Sequence, residues 1–368
     1  MSQYPIVALT GPRQSGKTTL LKSMFPEYEY VSLENTNTRS FATDDPIGFL
    51  KKYPGHVIFD EVQQTPQLFS YLQTAVDASG QMGQFVLSGS QNFQLMERIT
   101  QTLAGRVALF KLLPFDMQEL RAAALLPPDW RSLLIKGFYP AVYHRNIDPA
   151  VFYANYVQTY VERDVTALLR VQDLRLFRNF IGLCAARTGQ LLNVANLATE
   201  CGISQPTAKA WLSLLESSYI IFLLPPYFEN FSKRIVKTPK IYFYDVGLAA
   251  FLLGIRIPED IDQSLGGILF ENMIVAELFK QNYHQYQLQQ YWFWRDSNGH
   301  EVDVLTKHGR SLDIFEIKST QTVLPQYFKG LDYFDQLTGK AVTRRTLIYG
   351  GNESQERTRY AVQAWDAL

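Results

Sequence analysis

The chain has 368 residues, enough for about two or three domains of roughly 100–200 residues each, with a sizeable core. Its 35 Lys and Arg balance 35 Asp and Glu, which excludes a globally basic surface, so any DNA contact would need a local patch. Cys184 and Cys201 match neither a metal spacing nor a disulfide framework, so we expect both in cores within a reducing compartment. The sequence offers no signal peptide and no apolar run near the ~20 residues that cross a bilayer. We therefore expect a cytoplasmic protein without membrane association.

The N-terminal part alternates strands with helical stretches. We predict strands at residues 6–9, 28–33, 57–59 and 84–87, and a helix at Lys17–Met24 after the first strand. This alternation is typical of a parallel sheet that is covered on both faces. We predict a first domain over residues 1–125, because a Pro-rich stretch at Pro127 and Pro128 follows it.

The middle and C-terminal parts have different patterns. In a helical region over residues 126–250, helices at 193–200 and 207–216 flank a turn at Gly202, and Ser204 is expected to cap the second. Residues 219–224 and 241–244 would pair as a hairpin, which completes the description of a winged helix-turn-helix. Residues 251–368 are predicted to form a mixed α/β domain, with helices at 269–281 and 327–336 and strands at 291–294, 301–305, 312–318 and 346–349.

Residues 11–18 match the phosphate-binding pattern G-x-x-x-x-G-K-[ST], between a predicted strand and a predicted helix. The glycines let backbone N–H groups surround phosphates, and the helix points its positive end at the same anion. Lys17 would contact the β- and γ-phosphates and Thr18 would ligate Mg²⁺. The pattern predicts ATP and Mg²⁺ as cofactors, bound by Gly11, Pro12, Arg13, Gln14, Ser15, Gly16, Lys17, Thr18 and Thr19.

Three further positions complete the predicted ATP site. Asp60, which ends the strand 57–59, would hold Mg²⁺ through water, and Glu61 would polarise the attacking water. Ser90 ends the next strand and is a candidate γ-phosphate sensor, with a surface turn as the alternative. Arg106 is a candidate arginine finger, in cis or from a neighbouring subunit, with a surface salt bridge as the alternative. The predicted catalytic residues are thus Glu61, Lys17, Ser90 and Arg106.

A second set of acidic residues lies in the C-terminal part. Glu316 and Lys318 alternate along a predicted strand and so share a face. With Asp303 on the neighbouring strand and Glu271 from a helix, three carboxylates and a lysine would converge. Such a set can bind one or two Mg²⁺ ions and activate water for phosphodiester cleavage. A solvated hairpin face explains the spacing as well, although Glu316 lies in an apolar run. The nearby Trp292 and Trp294 are expected in the core.

These segments together resemble a known family. GPRQSGKTTLL, VIFDE, LSGSQ and LAGR resemble a bacterial and archaeal branch of AAA-type ATPases. TYVERDV, ARTGQLLNVANLA, KRIVKTPKIYFYDVGLA, LFENMIVAEL, EVDVL and FEIKS resemble its C-terminal half, a domain of unknown function assigned to the PD-(D/E)XK nuclease superfamily. The resemblance implies an α/β fold class: an AAA-type P-loop NTPase parallel sheet, a helical, winged-helix middle and a mixed α/β restriction-endonuclease-like C-terminal domain over residues 251–368. It implies an ATP site at Lys17, Thr18, Asp60 and Glu61 and a nuclease-like set at Glu271, Asp303, Glu316 and Lys318.

Three functions fit these features. The first is a Mg²⁺-dependent ATPase that acts as a nucleotide-dependent switch and associates with DNA. The second couples the ATPase to a protein-interaction module without nucleic acid, which the neutral charge favours, as does Lys209 as the single basic residue of 207–216. The third is an ATP-dependent DNA nuclease. The basic segment 233–240 is the candidate phosphate contact, with a solvated loop as the alternative, and an arginine finger at Arg106 would favour a homo-oligomer.

Overall fold

The computed structural model describes residues 3–90, 99, 101–165, 173–228, 236–339 and 341–368, without the side chains of 162–165. Contacts group the chain into two compact units. The first unit is Met1–Pro114 with Ser217–Tyr219, and the second is Phe115–Glu216 with Ile220–Leu368. The division into three domains stays a prediction, and its boundary at residue 250 falls inside the second unit.

The first unit is built on a five-stranded parallel sheet in the order β2-β3-β4-β1-β5. Its strands are β1 (Ile6–Thr10), β2 (Glu29–Ser32), β3 (Val57–Asp60), β4 (Phe85–Gly89) and β5 (Val107–Lys111). Its helices are Lys17–Met24, Thr36–Asp44, Pro46–Lys52 and Leu68–Ser79. The four predicted strands and the helix Lys17–Met24 are confirmed, whereas β5 was not predicted.

Both faces of this sheet are covered. Ile58 packs with Leu9 and Val86 in one apolar cluster. The adjacent Phe59 packs with Phe85 in another cluster, because successive side chains of a strand point to opposite faces. Since all five strands are parallel, their carboxyl ends meet at one edge of the sheet. That edge brings the loop after β1 next to the acidic end of β3.

The second unit begins with helices. They are Met117–Ala122, Trp130–Lys136, Pro140–His144, Pro149–Tyr156 with a wider-turned continuation at Val157–Val165, Leu174–Ala185, Val194–Cys201, Gln205–Ser217, Val246–Leu252 and Gln263–His284. Gly202 ends one of them with φ 73°, and Ser204 Oγ accepts from the backbone N–H of Thr207 at 3.2 Å. β6 (Ile221–Leu224) pairs antiparallel with β7 (Lys240–Phe243). The predicted helices, turn and strand pair are therefore present, and their identity as a winged helix stays a prediction.

The rest of the second unit is a six-stranded mixed sheet in the order β12-β13-β11-β10-β9-β8. The strands are β8 (Tyr291–Arg295), β9 (Glu301–His308), β10 (Ser311–Lys318), β11 (Val342–Tyr349), β12 (Gln355–Glu356) and β13 (Ala361–Ala364). The helix Lys329–Leu337 packs Leu331 and Phe334 against this sheet. The prediction of a mixed α/β fold for this part of the chain is confirmed.

The cysteines and two of the tryptophans lie in cores of the second unit. Cys184 and Cys201 are buried and carry free thiols. Trp294 is fully buried, and Trp292 packs against the same apolar cluster. These predictions of core packing are confirmed. Within the described ranges, no helix combines the length and the apolar character that a membrane span requires.

Candidate functional site

The loop after β1 has a backbone that requires glycine. A Cβ on Gly11, whose φ is 153°, would lie 2.0 Å from the carbonyl oxygen of Leu112, a distance that no side chain tolerates. Gly16 has φ 93° and precedes the helix Lys17–Met24, whose first turn receives no hydrogen bond from a capping side chain. The N–H groups of this turn are therefore positioned for an anion.

The other predicted loop residues surround this backbone. Ser15 Oγ donates to the carbonyl of Pro12 at 3.0 Å, which tightens the turn. Gln14 adopts φ 63°, so it extends the left-handed path of the loop. Gln14 and Thr19 are exposed and Arg13 is partly exposed. The loop thus presents a buried turn with an open side.

Lys17 lies under this loop. Its Nζ donates to the carbonyl oxygens of Gly11 at 2.9 Å and Pro12 at 2.7 Å. Burial lowers the pKa of Lys17 to about 8, although the carboxylates of Glu61 and Asp60 raise it. Phosphate oxygens would replace neutral carbonyls with charge-assisted partners. Lys17 therefore lies at the phosphate loop, and its role as a phosphate ligand stays a prediction.

Asp60 collects two hydroxyl donors on one oxygen. Its Oδ2 accepts from Thr18 Oγ1 at 2.8 Å and from the phenol of Tyr30 at 2.6 Å. A hydroxyl and a carboxylate side by side, next to a phosphate loop, form the hard oxygen set that Mg²⁺ prefers, so these residues fit a magnesium–nucleotide complex. Tyr30 was missed in the sequence. Burial and the nearby Asp60 raise the pKa of its phenol, so it acts as a donor.

Glu61 is held in an unusual conformation. Its φ of 56° lies in the left-handed region, which costs a non-glycine residue about 1–3 kcal/mol and is frequent at functional sites. Its Oε2 accepts from Ser90 Oγ at 3.2 Å and from Gln63 Nε2. The structure therefore places Ser90 beside Glu61, and Gln63 is a contact that sequence reasoning missed.

Arg106 lies elsewhere. Its guanidinium binds both oxygens of Asp77, at 2.5 and 2.8 Å, and its carbonyl accepts from Ile6 N at 3.2 Å, at the amino end of β1. The phosphate loop follows the carboxyl end of that strand, about 16 Å away for five residues. The predicted finger role in cis therefore lacks the geometry, and the alternative of a surface salt bridge is what the structure shows.

The acidic cluster of the second unit forms around the β9–β10 pair. Lys318 Nζ lies 2.6 Å from Glu316 Oε1 and 3.6 Å from Asp303 Oδ2. Asp303 Oδ2 also accepts from the backbone N–H of Ile317 at 2.8 Å. Burial raises the pKa of Glu316 to about 8, helped by the charge of Asp303 and opposed by Lys318. The predicted convergence of these three side chains is confirmed.

Glu271 binds Lys240, which the sequence predicted to lie in the basic segment 233–240. Its Oε1 accepts from Lys240 Nζ at 3.0 Å and from the phenol of Tyr242 at 2.6 Å. Lys240 Nζ also lies 2.5 Å from Glu301 Oε1. Lys240 is 3% exposed, so it does not belong to an exposed basic segment as predicted for 233–240. Positions 233–235 of that segment lie outside the described residues.

The cluster as arranged does not fit a divalent ion. Its carboxylates face lysines. Among the residues that the structure describes, three potential metal ligands lie within 4.8 Å of one another at a different place, at Asp116, Glu119 and His284. That group is a helix cap, because Asp116 Oδ1 accepts from Glu119 N at 2.7 Å and Glu119 Oε2 accepts from Asp116 N at 2.9 Å. The predicted metal ligands Glu271, Asp303 and Glu316 thus each face a lysine, and Oε2 of Glu316 has no hydrogen-bond partner.

Comparison with protein families defines the class of the first unit. Residues 3–121 match the model of the AAA domain, in agreement with the parallel sheet and phosphate loop. Residues 127–259 and 266–367 match two domains of unknown function, DUF8612 and DUF4143. The chain is an AAA-type P-loop ATPase family member with these two domains after its AAA domain.

Two relatives match nearly the whole chain and show its family. The chain is 31% identical over 363 residues to the uncharacterized protein Rv2008c of Mycobacterium tuberculosis. The alignment covers 95% of this chain and 78% of that protein. The same values hold for the uncharacterized protein Mb2031c of Mycobacterium bovis. The chain belongs to the same family as these two proteins.

Solved structures give weaker likenesses. The Walker-type ATPase of Pyrococcus abyssi is 17% identical, with a TM-score of 0.43, over 68% of this chain and 91% of that one. The RuvB Holliday junction branch migration motor of Thermotoga maritima is 17% identical, with a TM-score of 0.28, over 60% of this chain and 82% of that one. Because both TM-scores are low, neither likeness carries an argument about function.

Proposed function

We propose that the protein is a Mg²⁺-dependent ATPase that acts as a nucleotide-dependent switch. The observation that carries the proposal is the 2.8 Å contact between Thr18 Oγ1 and Asp60 Oδ2. It joins the first turn after the phosphate loop to the acidic end of β3. A Mg²⁺ ion bound there would neutralise charge on the β- and γ-phosphates.

Each residue of the site then has a defined task. Lys17 would exchange its carbonyl partners for phosphate oxygens, and Thr18 and Asp60, whose oxygens lie side by side, would hold the metal. Glu61, with its carboxylate fixed by Ser90 and Gln63, orients the attacking water and takes up proton density from it. Positioning and charge stabilisation are what phosphoryl transfer chiefly requires from a protein.

Phosphate release from Mg²⁺–ATP tests this proposal. Lys17→Ala should lose both nucleotide binding and hydrolysis, whereas Glu61→Gln should keep binding and lose hydrolysis. Lys51→Ala, at an exposed position of the helix Pro46–Lys52, is the matched control and should behave as the wild type. Hydrolysis by Glu61→Gln at the wild-type rate would remove Glu61 from this role.

We further infer that the output of the switch is binding to a protein partner. Lys209 is the single basic residue of the helix Gln205–Ser217, where a DNA-reading helix would offer more basic or amide groups. Lys240 is committed to carboxylates inside the fold. Neither the helix Gln205–Ser217 nor Lys240 therefore offers the positive charge that contact with DNA would require.

Association with DNA is the second candidate and rests on Lys237 and on the basic residues outside the described ranges. Fluorescence anisotropy with a labelled duplex, at several salt concentrations and with ATP or ADP, separates the two candidates. A protein-binding output predicts little DNA binding and no steep salt dependence. Tight, strongly salt-dependent binding that is lost in Lys209→Ala/Lys237→Ala would establish the DNA alternative.

We propose self-association on the basis of Arg106. Because Arg106 lies away from the phosphate loop of its own chain, it could act as an arginine finger only on the nucleotide of a neighbouring copy. In that case the specific ATPase rate rises with protein concentration. Arg106→Ala should abolish the rise, and Asp77→Asn, which releases the guanidinium, should not. A rate per chain that is independent of concentration would leave Arg106 as a surface ion pair.

A further inference from the structure

We propose that Lys240 is a built-in cation of the acidic cluster: its ammonium group takes the place at which Glu271 and Glu301 would otherwise hold a divalent metal ion. These two carboxylates then bind a lysine of the same chain and no metal. The inference does not depend on the function proposed for the ATP site, because every residue involved belongs to the second unit.

The surroundings of the ammonium group are those of a bound ion. Lys240 Nζ lies 3.0 Å from Glu271 Oε1 and 2.5 Å from Glu301 Oε1, and 5.6 Å from the ring centroid of Phe293. An ammonium group has three donors, and two of them point at carboxylates. A buried lysine is stable only when it is paired in this way.

The carboxylates are satisfied from their other sides as well. Glu271 Oε1 also accepts from the phenol of Tyr242 at 2.6 Å. Glu301 Oε2 lies 3.3 Å from a guanidinium nitrogen of Arg295. Glu271 and Glu301 therefore each face a cation of the chain, and the Asp303 carboxylate adds to the negative potential around Lys240. A metal ion beside Glu271 and Glu301 would be repelled by the ammonium group that contacts both of them.

Lys240 is also fixed by its backbone. β7 is flanked on one side by β6 and on the other by the segment before the helix Val194–Cys201, through bridges from Thr188 to Ile241 and from Leu191 to Lys240. Gly189 N donates to the carbonyl of Ile241 at 2.8 Å. Pairing on both edges fixes the backbone of Lys240, so its side chain enters the cluster from a fixed position.

Lys318, which binds Asp303 and Glu316, is more exposed than Lys240. Its side chain is 32% exposed, and Oε2 of its partner Glu316 has no hydrogen-bond donor. The cluster is thus divided into two halves. Around Glu271 and Glu301 the lysine is buried, whereas around Asp303 and Glu316 the lysine is partly exposed.

Counting bound Mn²⁺ by electron paramagnetic resonance on the nucleotide-free full chain tests the proposal. Glu271→Gln and Glu301→Gln keep the shape of the side chains and should bind the same number of Mn²⁺ ions per chain as the wild type. Loss of one Mn²⁺ in either variant would show that the carboxylate is a metal ligand and would overturn the proposal.

Removal of the lysine is the reciprocal experiment. Lys240→Met should bind one Mn²⁺ more than the wild type, and Mn²⁺ should raise its melting temperature; Lys240→Met/Glu301→Gln should lose the extra ion. Lys329→Met, at an exposed lysine, is the control and should gain none. A folded Lys240→Met protein with the wild-type number of Mn²⁺ ions would contradict the proposal. If that variant does not fold, the glutamine variants decide.

Discussion

Tyr30 donates its phenolic hydroxyl to Asp60 at 2.6 Å, onto the same carboxylate oxygen that accepts from Thr18. β2 and β3 are neighbours in the sheet, and their pairing brings the phenol to the acidic strand end. A metal ligand whose carboxylate is oriented by a neutral donor binds its ion in a fixed geometry. Tyr30 therefore acts on the proposed Mg²⁺ site through Asp60.

Tyr30→Phe should weaken the use of Mg²⁺ without removing ATP binding. Loss of a partner of this kind typically reduces metal affinity by about 10–100-fold, so the Mg²⁺ concentration for half-maximal ATPase activity should rise by that range. Tyr28→Phe is the matched control, because the Tyr28 hydroxyl donates to the carbonyl of Gly83 at 2.6 Å. Equal Mg²⁺ dependence of the two variants would show that Tyr30 has no role at the metal.

The affinity for ATP should fall as the pH rises through the range around 8. Burial lowers the pKa of Lys17 to about 8, and the protonated form is the one that binds phosphate. Bound phosphate stabilises this form, so above pH 8 binding takes up a proton and affinity decreases by about tenfold per pH unit. Titration of a fluorescent ATP analogue from pH 7 to 9.5 measures the decrease. A constant affinity over this range would contradict the assignment.

The local parts of both sites could be predicted from the sequence. The phosphate loop is one contiguous segment, so its pattern contains the whole geometry. Glu316 and Lys318 are two residues apart on a strand, and alternation alone places them on one face. Asp303 followed because two adjacent strands of a chain often pair, and β9 and β10 do.

The contacts that the sequence did not predict depend on tertiary pairing. Tyr30 reaches Asp60 because β2 lies beside β3, an order that no local pattern specifies. Lys240 was assigned to an exposed basic segment because it follows other basic residues. In β7 it alternates with Ile241 and shares a face with Tyr242, and that face is buried against Glu271. The alternation of side chains along the strand could have placed Lys240 beside Tyr242, but the several basic residues of the segment led to the prediction of an exposed loop.

Asp245→Ala should strongly destabilise the second unit. Asp245 is buried, and its carboxylate accepts from the phenol of Tyr153 at 2.6 Å and from the backbone N–H groups of Phe138 at 2.7 Å and Leu248 at 2.9 Å. Each buried donor left without a partner costs about 1–3 kcal/mol, so the expected loss is about 3 kcal/mol or more.

Tyr153→Phe removes one donor of the three and is the graded control, with an expected loss of about 1 kcal/mol. Urea unfolding followed by tryptophan fluorescence suits both variants, because all five tryptophans lie between residues 130 and 365, in the second unit. Equal stability of Asp245→Ala and the wild type would show that these hydrogen bonds contribute nothing to the fold.

Gln63→Leu should slow hydrolysis while ATP affinity stays at the wild-type level. Gln63 is buried, and its amide donates to Oε2 of Glu61, the oxygen that also accepts from Ser90. Misplacement of a reacting group by about 1 Å can cost about 100-fold in rate, so kcat should fall by about 10–100-fold. Gln64→Leu is the matched control, because Gln64 is the exposed neighbour in the same turn.

The double variant Glu61→Gln/Gln63→Leu separates positioning from a direct role. If Gln63 acts through Glu61, the two substitutions are not additive, because the second removes a contact to a group that no longer functions. The double variant should therefore hydrolyse ATP at the rate of Glu61→Gln alone. A further 10–100-fold loss in the double variant, relative to Glu61→Gln, would mean that Gln63 contacts the water or the phosphate itself.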